Sequence, residues 1–380
     1  MSCTSKQRVE MIFNKQLPDR PAIGFFAIDS DTAAGVLGRQ TYWRAKAKSQ
    51  IAFWQGRRDE VVQSWIEDGI ELYKKLDFID IIPVCCESAG ICPPKGYTPE
   101  SPKQIDETTW QGKDGKIYRY SPTTKDITVI SSPFVEDSLE LQAEMWDGVI
   151  TPPDESIFEV VEAFIAEFGE EKFVLGPSAA ELAWFLPGGM EAGLMFMAMQ
   201  PEKLKKIYMS KVASANAHDK YYVRRGQSGV LWGTDLASQK GPMISPRMYG
   251  ELFLEGFSQR VASVKVHNQR VIKHMCGNNW PILDLMVQAG IECYQSVQQS
   301  AGMDIAEVYA GYNDKFAVWG GLPVELLIGG SRKEVRNAVR KVMTELAPNG
   351  RFIFGTSHSV AVGTNYENFM AMIDELHKWI

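Results

Sequence analysis

Two side chains that ligate metals stand two positions apart in the segment Arg270-Val-Ile-Lys-His-Met-Cys-Gly277. If this short apolar run is a strand, residues i and i+2 point to the same side, so the His274 imidazole and the Cys276 thiol would face one point. Both are good zinc ligands, and a strand that ends at Gly277 would leave them at its rim, open to a third ligand. An isolated His-x-Cys pair is more often a packed thiol beside a hydrogen-bonded imidazole. The interpretation therefore depends on what the rest of the chain brings to the same place.

Short apolar segments followed by sequence with helical periodicity recur along the chain. Eight such strands are predicted, at residues 21–26, 77–85, 172–177, 229–235, 271–277, 292–297, 316–322 and 351–358. A long helix is expected over residues 181–199, after the third strand. This alternation is typical of a parallel sheet with right-handed crossovers, and eight units favour a closed barrel over an open doubly wound sheet. The predicted fold class is α/β, a (β/α)8 TIM barrel.

The alternation breaks at residues 88–170, which follow the second strand. Within this stretch, residues 108–110 and 116–120 are joined through Lys113-Asp-Gly115. This pattern predicts a β-hairpin, because Asp-Gly suits a type I′ turn. We interpret residues 88–170 as an inserted lid or subdomain of a single TIM-barrel domain that spans residues 1–380.

In a TIM barrel all strands end at one mouth, where the active sites of this fold lie. Five side chains near predicted strand ends would meet there: Glu87, Asp235, His274, Cys276 and His358. A His/Cys/His set with an open fourth position is the pattern of a catalytic zinc site. Asp235 could orient a ligand histidine or take a proton from substrate, or it could cap a helix or loop. Glu87 could be a general acid or base, or a solvated loop carboxylate.

Composition limits the classes of partner. The chain has 380 residues, a formal net charge of −7 and no run rich in Lys or Arg, which argues against nucleic acid or an anionic membrane surface. No stretch approaches the roughly 18 apolar residues of a membrane span, and the start lacks the apolar core of a signal peptide. The six cysteines show no disulfide-framework spacing and are expected to be reduced thiols or metal ligands. We expect a cytoplasmic protein.

At these residues the chain resembles the uroporphyrinogen decarboxylase superfamily, and more closely its zinc-dependent corrinoid methyltransferase branch. That branch includes methylcobamide:coenzyme M methyltransferases and the methyltransferase components of anaerobic O-demethylases. The matching pieces lie at residues 176–177, 234–235, 241–249, 274–278, 297–304, 319–321 and 363–368. The Arg-Gln-Ala-Gly-Arg type motif of the true decarboxylases is not found near the first strand, where residues 24–31 read Gly-Phe-Phe-Ala-Ile-Asp-Ser-Asp. Porphyrinogen decarboxylation is therefore not expected.

The resemblance implies a zinc ion held by His274, Cys276 and His358, with His358 where thiol-using relatives typically place a cysteine. One thiolate and two neutral imidazoles leave such a site at about +1, whereas two thiolates would make it about neutral. The more positive zinc suits polarising the oxygen of a methyl ether. The resemblance also implies a corrinoid (cobalamin), which we expect on a partner protein.

The expected activity is methyl transfer from a methoxylated, aromatic small molecule to the cobalt of a protein-bound corrinoid, with Asp235 or Glu87 assisting proton transfer. Three alternatives stay open. They are methyl transfer from a methyl-corrinoid to a thiol of the coenzyme M type, a metal-free lyase of small acids that resembles uroporphyrinogen decarboxylase and uses Asp235 and Glu87, and a non-catalytic barrel that serves as a scaffold in a corrinoid complex.

Overall fold

The computed structural model describes residues 3–84, 90–132 and 144–380. The strands are β1 (Ala22–Ile23), β2 (Ile81–Pro83), β3 (Lys103–Gln104), β4 (Thr109–Gln111), β5 (Ile117–Ser121), β6 (Asp126–Ser131), β7 (Phe173–Gly176), β8 (Gly229–Trp232), β9 (Ala237–Ser238), β10 (Gly241–Pro242), β11 (Arg270–Met275), β12 (Cys293–Ser296), β13 (Ala317–Leu322) and β14 (Phe352–Thr356). The helices are α1 (Ser5–Phe13), α2 (Ser30–Leu37), α3 (Lys46–Trp54), α4 (Arg58–Lys75), α5 (Glu159–Phe168), α6 (Gly189–Met199), α7 (Pro201–Tyr222), α8 (Pro246–Leu252), α9 (Leu254–Val266), α10 (Leu283–Ala289), α11 (Ile305–Tyr312), α12 (Val324–Gly329), α13 (Arg332–Leu346) and α14 (Tyr366–Leu376). Among the described helices, none combines the length and the apolar composition that crossing a bilayer requires.

Eight parallel strands form the central sheet, in the order β1-β14-β13-β12-β11-β8-β7-β2. The strands at the two ends of this order, β1 and β2, meet at a parallel bridge between Gly24 and Ile81. The sheet thus curls into a nearly closed barrel with helices between successive strands. The predicted (β/α)8 TIM barrel is confirmed.

The interior of the barrel is filled by side chains from alternate strand positions, as the period of two of a β-strand requires. One buried apolar cluster lies there; its strand members are Ala22, Ile81, Phe173, Leu175, Leu231, Ile272, Cys293, Ala317, Trp319 and Ile353. Val9, Ile12 and Phe13 of α1 pack against the same cluster. Because α1 also contacts Arg270, the first residue of β11, this helix covers the N-terminal end of the barrel. The C-terminal end of the barrel is the end at which the candidate site residues lie.

The helix expected over residues 181–199 was wrong in its first half. Residues 181–188 lie outside any helix, α6 begins at Gly189, and a second helix, α7, follows it directly. The cause is local: Pro187 disfavours helical backbone in the residue before it, and Gly188 and Gly189 adopt φ of 76° and 88°. Glu181, in the non-helical first half, reaches the barrel mouth, where it accepts the Thr234 backbone N–H.

The insertion after β2 contains a four-stranded antiparallel sheet in the order β3-β4-β5-β6. The predicted hairpin corresponds to β4 and β5, with Trp110 opposite Tyr118. The two flanking strands were not predicted: β3 has only two residues, and β6 is largely exposed, as an edge strand is, although its sequence Asp-Ile-Thr-Val-Ile-Ser is rich in β-branched residues. The interpretation of residues 88–170 as a lid or subdomain stays a prediction.

Aromatic and charged contacts join this small sheet to the helices around the barrel. The Trp54 ring of α3 lies 5.7 Å from the ring of Trp110 and 5.2 Å from that of Tyr118. The Lys125 ammonium lies 2.9 Å from the Asp31 carboxylate in α2. The insertion is therefore anchored on the side of the barrel formed by its first helices.

A buried carboxylate supports the junction of β1 and β2. The Asp80 side chain, fully buried, accepts hydrogen bonds from the Ile23 backbone N–H (2.8 Å), from Arg8 Nη1 (2.7 Å) and from Arg20 Nη1 (2.8 Å). Both guanidinium groups are themselves largely buried. One carboxylate thus holds three segments of chain where the barrel closes.

We expect Asp80→Asn to lower the free energy of unfolding by about 3–5 kcal/mol, since it removes the charge that compensates two buried guanidinium groups. Equilibrium denaturation in urea measures this. The control is Glu251→Gln, whose pair with Arg247 is exposed on both sides and is expected to contribute under ~1 kcal/mol. Equal small losses in both variants would contradict this account.

Candidate metal centre

Strand β11 brings His274 and Cys276 together at the mouth of the barrel. His274 lies two residues after Ile272 of the barrel core, on the same face of the strand, and only 3% of it is exposed. Cys276 follows the last residue of β11. Its Sγ lies 3.3 Å from His274 Nε2. The thiol and the imidazole therefore face one point.

The third predicted residue, His358, reaches the same point from the loop after β14. The ligand atoms of His274, Cys276 and His358 all lie within 4.8 Å of one another. The two imidazole rings are nearly perpendicular, with centroids 5.5 Å apart. Around a tetrahedral zinc with bonds of about 2.0–2.3 Å, ligand atoms stand roughly 3.3–3.8 Å apart. Two imidazoles and a thiol thus fit such an ion, with a small closing movement.

The loop that carries Cys276 is held from three sides. Asp235 Oδ1 accepts the Cys276 backbone N–H at 2.7 Å, and Gln298 Oε1 accepts that of Gly277 at 2.8 Å. The Asn279 amide donates to the Cys276 carbonyl at 3.0 Å. Gly277 adopts a φ of 85°, and a Cβ there would stand 2.6 Å from the Ala237 carbonyl oxygen, so only glycine fits.

Strained backbone lies directly beside this loop, at the end of β12. Ser296 and Val297 have φ of 108° and 55°, values that non-glycine residues rarely adopt. Such positions cost roughly 1–3 kcal/mol each and occur preferentially at functional sites. The Ser296 hydroxyl lies 3.5 Å from Cys276 Sγ and donates to the Ser357 carbonyl at 2.6 Å. The strained turn therefore links the cysteine loop to the histidine loop.

Each histidine of the cluster has a polar partner at Nδ1. His274 Nδ1 is hydrogen-bonded to Gln295 Oε1. His358 Nδ1 lies 2.9 Å from the Ser359 hydroxyl, which contacts the Asp29 carboxylate at 3.5 Å. The Phe26 ring stacks on His274 with centroids 4.1 Å apart. These contacts restrict both the orientation of the rings and the position of their protons.

A buried ion pair stands on the outer side of β11. The Lys273 ammonium, fully buried, lies 2.7 Å from Glu181 Oε1 and donates to the Thr234 carbonyl at 2.5 Å. Glu181 Oε2 in turn accepts the Thr234 backbone N–H at 2.9 Å. The pair ties the loops that follow β7 and β8 to strand β11. It thereby fixes the loop from which Asp235 projects.

A cavity of about 270 Å³ opens beside the cluster. It is lined by Asp235, Cys276, Gln298, Val324, Glu325, Ser357 and His358. A small molecule in this cavity would therefore touch two of the three candidate ligands and the Asp235 carboxylate. The remaining predicted site residue, Glu87, lies outside the described residues.

Burial sets the protonation of the cluster. Desolvation, followed by the neighbouring His358, lowers the pKa of His274 to about 3. His358, at the cavity wall, also has a lowered pKa because its ring is partly desolvated. Desolvation and then the Asp235 charge raise the pKa of Cys276 to about 11. At neutral pH the metal-free cluster is therefore uncharged, and a divalent cation would favour loss of the thiol proton.

A TIM barrel with a convergent polar cluster at its mouth is the architecture of an enzyme. A family profile described as uroporphyrinogen decarboxylase (URO-D) matches residues 132–379, and the chain belongs to this family. The predicted superfamily is therefore confirmed. A curated relative, uroporphyrinogen decarboxylase from Thioalkalivibrio sulfidiphilus (strain HL-EbGR7), is 27% identical over 147 residues. That match spans 36% of this chain and 39% of the relative.

Two solved structures are similar to the chain over most of its length. A methyltransferase from Methanosarcina mazei matches with a TM-score of 0.67 and 13% sequence identity, covering 99% of each chain. The putative vitamin-B12 independent methionine synthase from Listeria monocytogenes matches with a TM-score of 0.44 and 10% identity, covering 94% of this chain and 96% of that one. The similarity to the Methanosarcina mazei structure supports the barrel fold. The TM-score of the Listeria monocytogenes match is too low to support any inference.

In chelator-treated protein we expect Cys276 to react slowly with iodoacetamide at pH 8, where about 0.1% of a thiol with a pKa of about 11 is ionised. Because only the thiolate reacts, the alkylation rate should rise about tenfold per pH unit up to that pKa. Peptide mapping by mass spectrometry separates Cys276 from the other cysteines. A rate that is already maximal at pH 8 would contradict the burial argument.

Proposed function

We propose that this protein is a zinc-dependent methyltransferase that takes a methyl group from a methoxylated, aromatic small molecule and transfers it to the cobalt of a corrinoid on a partner protein. The observation that carries the proposal is the clustering of His274, Cys276 and His358 beside a cavity. Those three residues would hold the zinc ion. The sequence segments around them resemble those of the corrinoid methyltransferases, which supports methyl transfer as the reaction.

Breaking a methyl–oxygen bond by methyl transfer leaves the electron pair on the oxygen, so the leaving phenolate needs stabilisation as an anion. Bound zinc would supply Lewis acidity for that oxygen. The chain's residues set the strength of this effect: two neutral imidazoles and one thiolate leave the centre at about +1. A set with two thiolates would be about neutral and better suited to activating a bound thiol. The His/Cys/His set therefore favours an ether as substrate.

Two features of the site support the roles of its residues. Asp235 is exposed to the cavity while its Oδ1 accepts the Cys276 N–H, so its carboxyl group, when protonated, can deliver a proton to the leaving phenolate. The Phe26 ring covers one face of His274 and keeps water from that side. From its position in the sequence, Glu87 is a second candidate for proton transfer. The corrinoid partner would dock over the barrel mouth.

A metal-free lyase is the second candidate. It is favoured by membership of the uroporphyrinogen decarboxylase family and by two carboxylates, Asp235 and Glu325, that line the cavity. This reaction would use Asp235 as an acid or base and would not need the cysteine. Metal content therefore separates the two candidates.

We expect about one zinc per chain in protein purified without chelator, measured by plasma mass spectrometry. His358→Ala should lose most of the metal, since two ligands remain. His358→Cys should retain it, because three ligands remain. His377→Ala, a change at the exposed histidine that follows the last residue of α14, is the control and should bind like the wild type. Zinc-free wild-type protein would favour the lyase.

Activity is tested by mixing the zinc-loaded protein with a methoxyphenol and cob(I)alamin and recording methylcobalamin formation by its visible spectrum. We expect turnover in the wild type and a loss of at least about 100-fold in Cys276→Ser, since the donor set is altered. His358→Cys should keep zinc and turn over the ether more slowly, because its centre is less positive. If the loaded wild type methylates a small thiol from methylcobalamin and leaves methoxyphenols intact, the donor assignment is wrong.

A further inference from the structure

We infer that Gln295 is a positioning residue of the metal centre: its amide oxygen accepts the Nδ1–H of His274 and so presents the unprotonated Nε2 to the metal. The inference rests on the proposed metal site and adds to it a residue that belongs to no metal-ligating type. Gln295 lies on β12, directly opposite His274 of β11 in the strand register. Its side chain is completely buried.

The orientation of the amide follows from its second contact. Gln295 Nε2 donates to the Thr356 backbone carbonyl at 3.3 Å. A carbonyl can only accept a hydrogen bond and the NH₂ group can only donate, so this contact turns Oε1 toward His274. Since Oε1 can only accept, the imidazole nitrogen that it meets, Nδ1, must carry the proton. The lone pair of the neutral ring is then on Nε2.

The free nitrogen points where a metal ligand is needed. His274 Nε2 lies 3.3 Å from Cys276 Sγ, within the candidate cluster. The Phe26 ring, stacked at 4.1 Å, fixes the plane of the imidazole. Gln295 therefore sets the tautomer and Phe26 sets the plane. Metal-ligating histidines commonly have such a partner on their second nitrogen.

Packing alone does not explain a glutamine at this position. Cys293, two residues earlier on the same face of β12, belongs to the apolar interior of the barrel. Burying an amide costs free energy unless its hydrogen bonds are satisfied, and an apolar residue would continue the pattern without that cost. Here both ends of the amide are satisfied, one of them by the candidate ligand. An amide also adds no charge, whereas a carboxylate in its place would lower the net charge near the metal.

The test compares three variants for zinc affinity, measured by competition with a chromophoric chelator. Gln295→Leu removes the acceptor and should weaken zinc binding about 10–100-fold. Gln295→Glu keeps an acceptor oxygen and should bind within about threefold of the wild type, or more tightly. Gln227→Leu is the matched control: Gln227 is also buried and donates to the Pro177 carbonyl at 3.2 Å, but it lies in the loop before β8. Its affinity should be unchanged.

Circular dichroism confirms that each variant is folded. If Gln295→Leu binds zinc like the wild type, or if all three variants weaken alike, the inference is wrong while the metal site stands. If the wild type itself binds no zinc, the proposed site fails first. A second measurement needs no metal: ¹⁵N chemical shifts of histidine in chelator-treated protein should show His274 protonated at Nδ1. Protonation at Nε2 would overturn the inference directly.

Discussion

The site depends on the desolvation of one imidazole. His274 continues the row of β11 side chains that begins inside the apolar barrel at Ile272, so it stands at the boundary between core and mouth. In that position the charged form of the ring is strongly disfavoured, and each ring nitrogen requires a partner inside the protein. Gln295 meets this requirement at Nδ1. Nε2 is left facing a thiol that is itself uncharged because it is buried.

The cluster of His274, Cys276 and His358 is held in place by contacts among the loops at the barrel mouth. The Lys273–Glu181 pair fixes the loops after β7 and β8. Asp235, held in this way, accepts the backbone N–H of Cys276. Ser296 connects the cysteine loop to the loop that carries His358. These contacts join the ends of β7, β8, β11, β12 and β14, and all but the Asp235–Cys276 bond are buried or partly buried. Such a connected set of hydrogen bonds is the arrangement a preorganised site requires.

The strands and the barrel were predictable, because eight apolar segments alternate with helical periodicity. The His-x-Cys spacing also predicted which two side chains would meet, since strand alternation is a short-range rule. The broken helix before α6 could have been predicted from Pro187-Gly-Gly189, a signal outweighed by the apolar run that follows. Of the two strands that flank the hairpin, β6 could have been predicted from its β-branched residues, whereas β3, with two polar residues, gave no strand signal.

The residues that contact the metal cluster could not be predicted from the sequence, for a different reason. Gln295 and Lys273 lie in ordinary strand positions, Phe26 lies in the segment after β1, and none of the three matches a motif. They matter only because the closed barrel places them against His274 or the mouth loops. A polar residue inside an otherwise apolar strand was the available signal at positions 273 and 295. That signal indicates a buried partner without saying which one.

The most direct test of this account is X-ray absorption at the zinc K edge of the purified protein. The account predicts one sulfur at about 2.3 Å and two imidazole nitrogens at about 2.0–2.1 Å, with the remaining scatterer a light atom. The sulfur contribution should disappear in Cys276→Ser. Two sulfur ligands, a shell of nitrogen and oxygen only, or no zinc in the sample would contradict the assignment of His274, Cys276 and His358 as the centre.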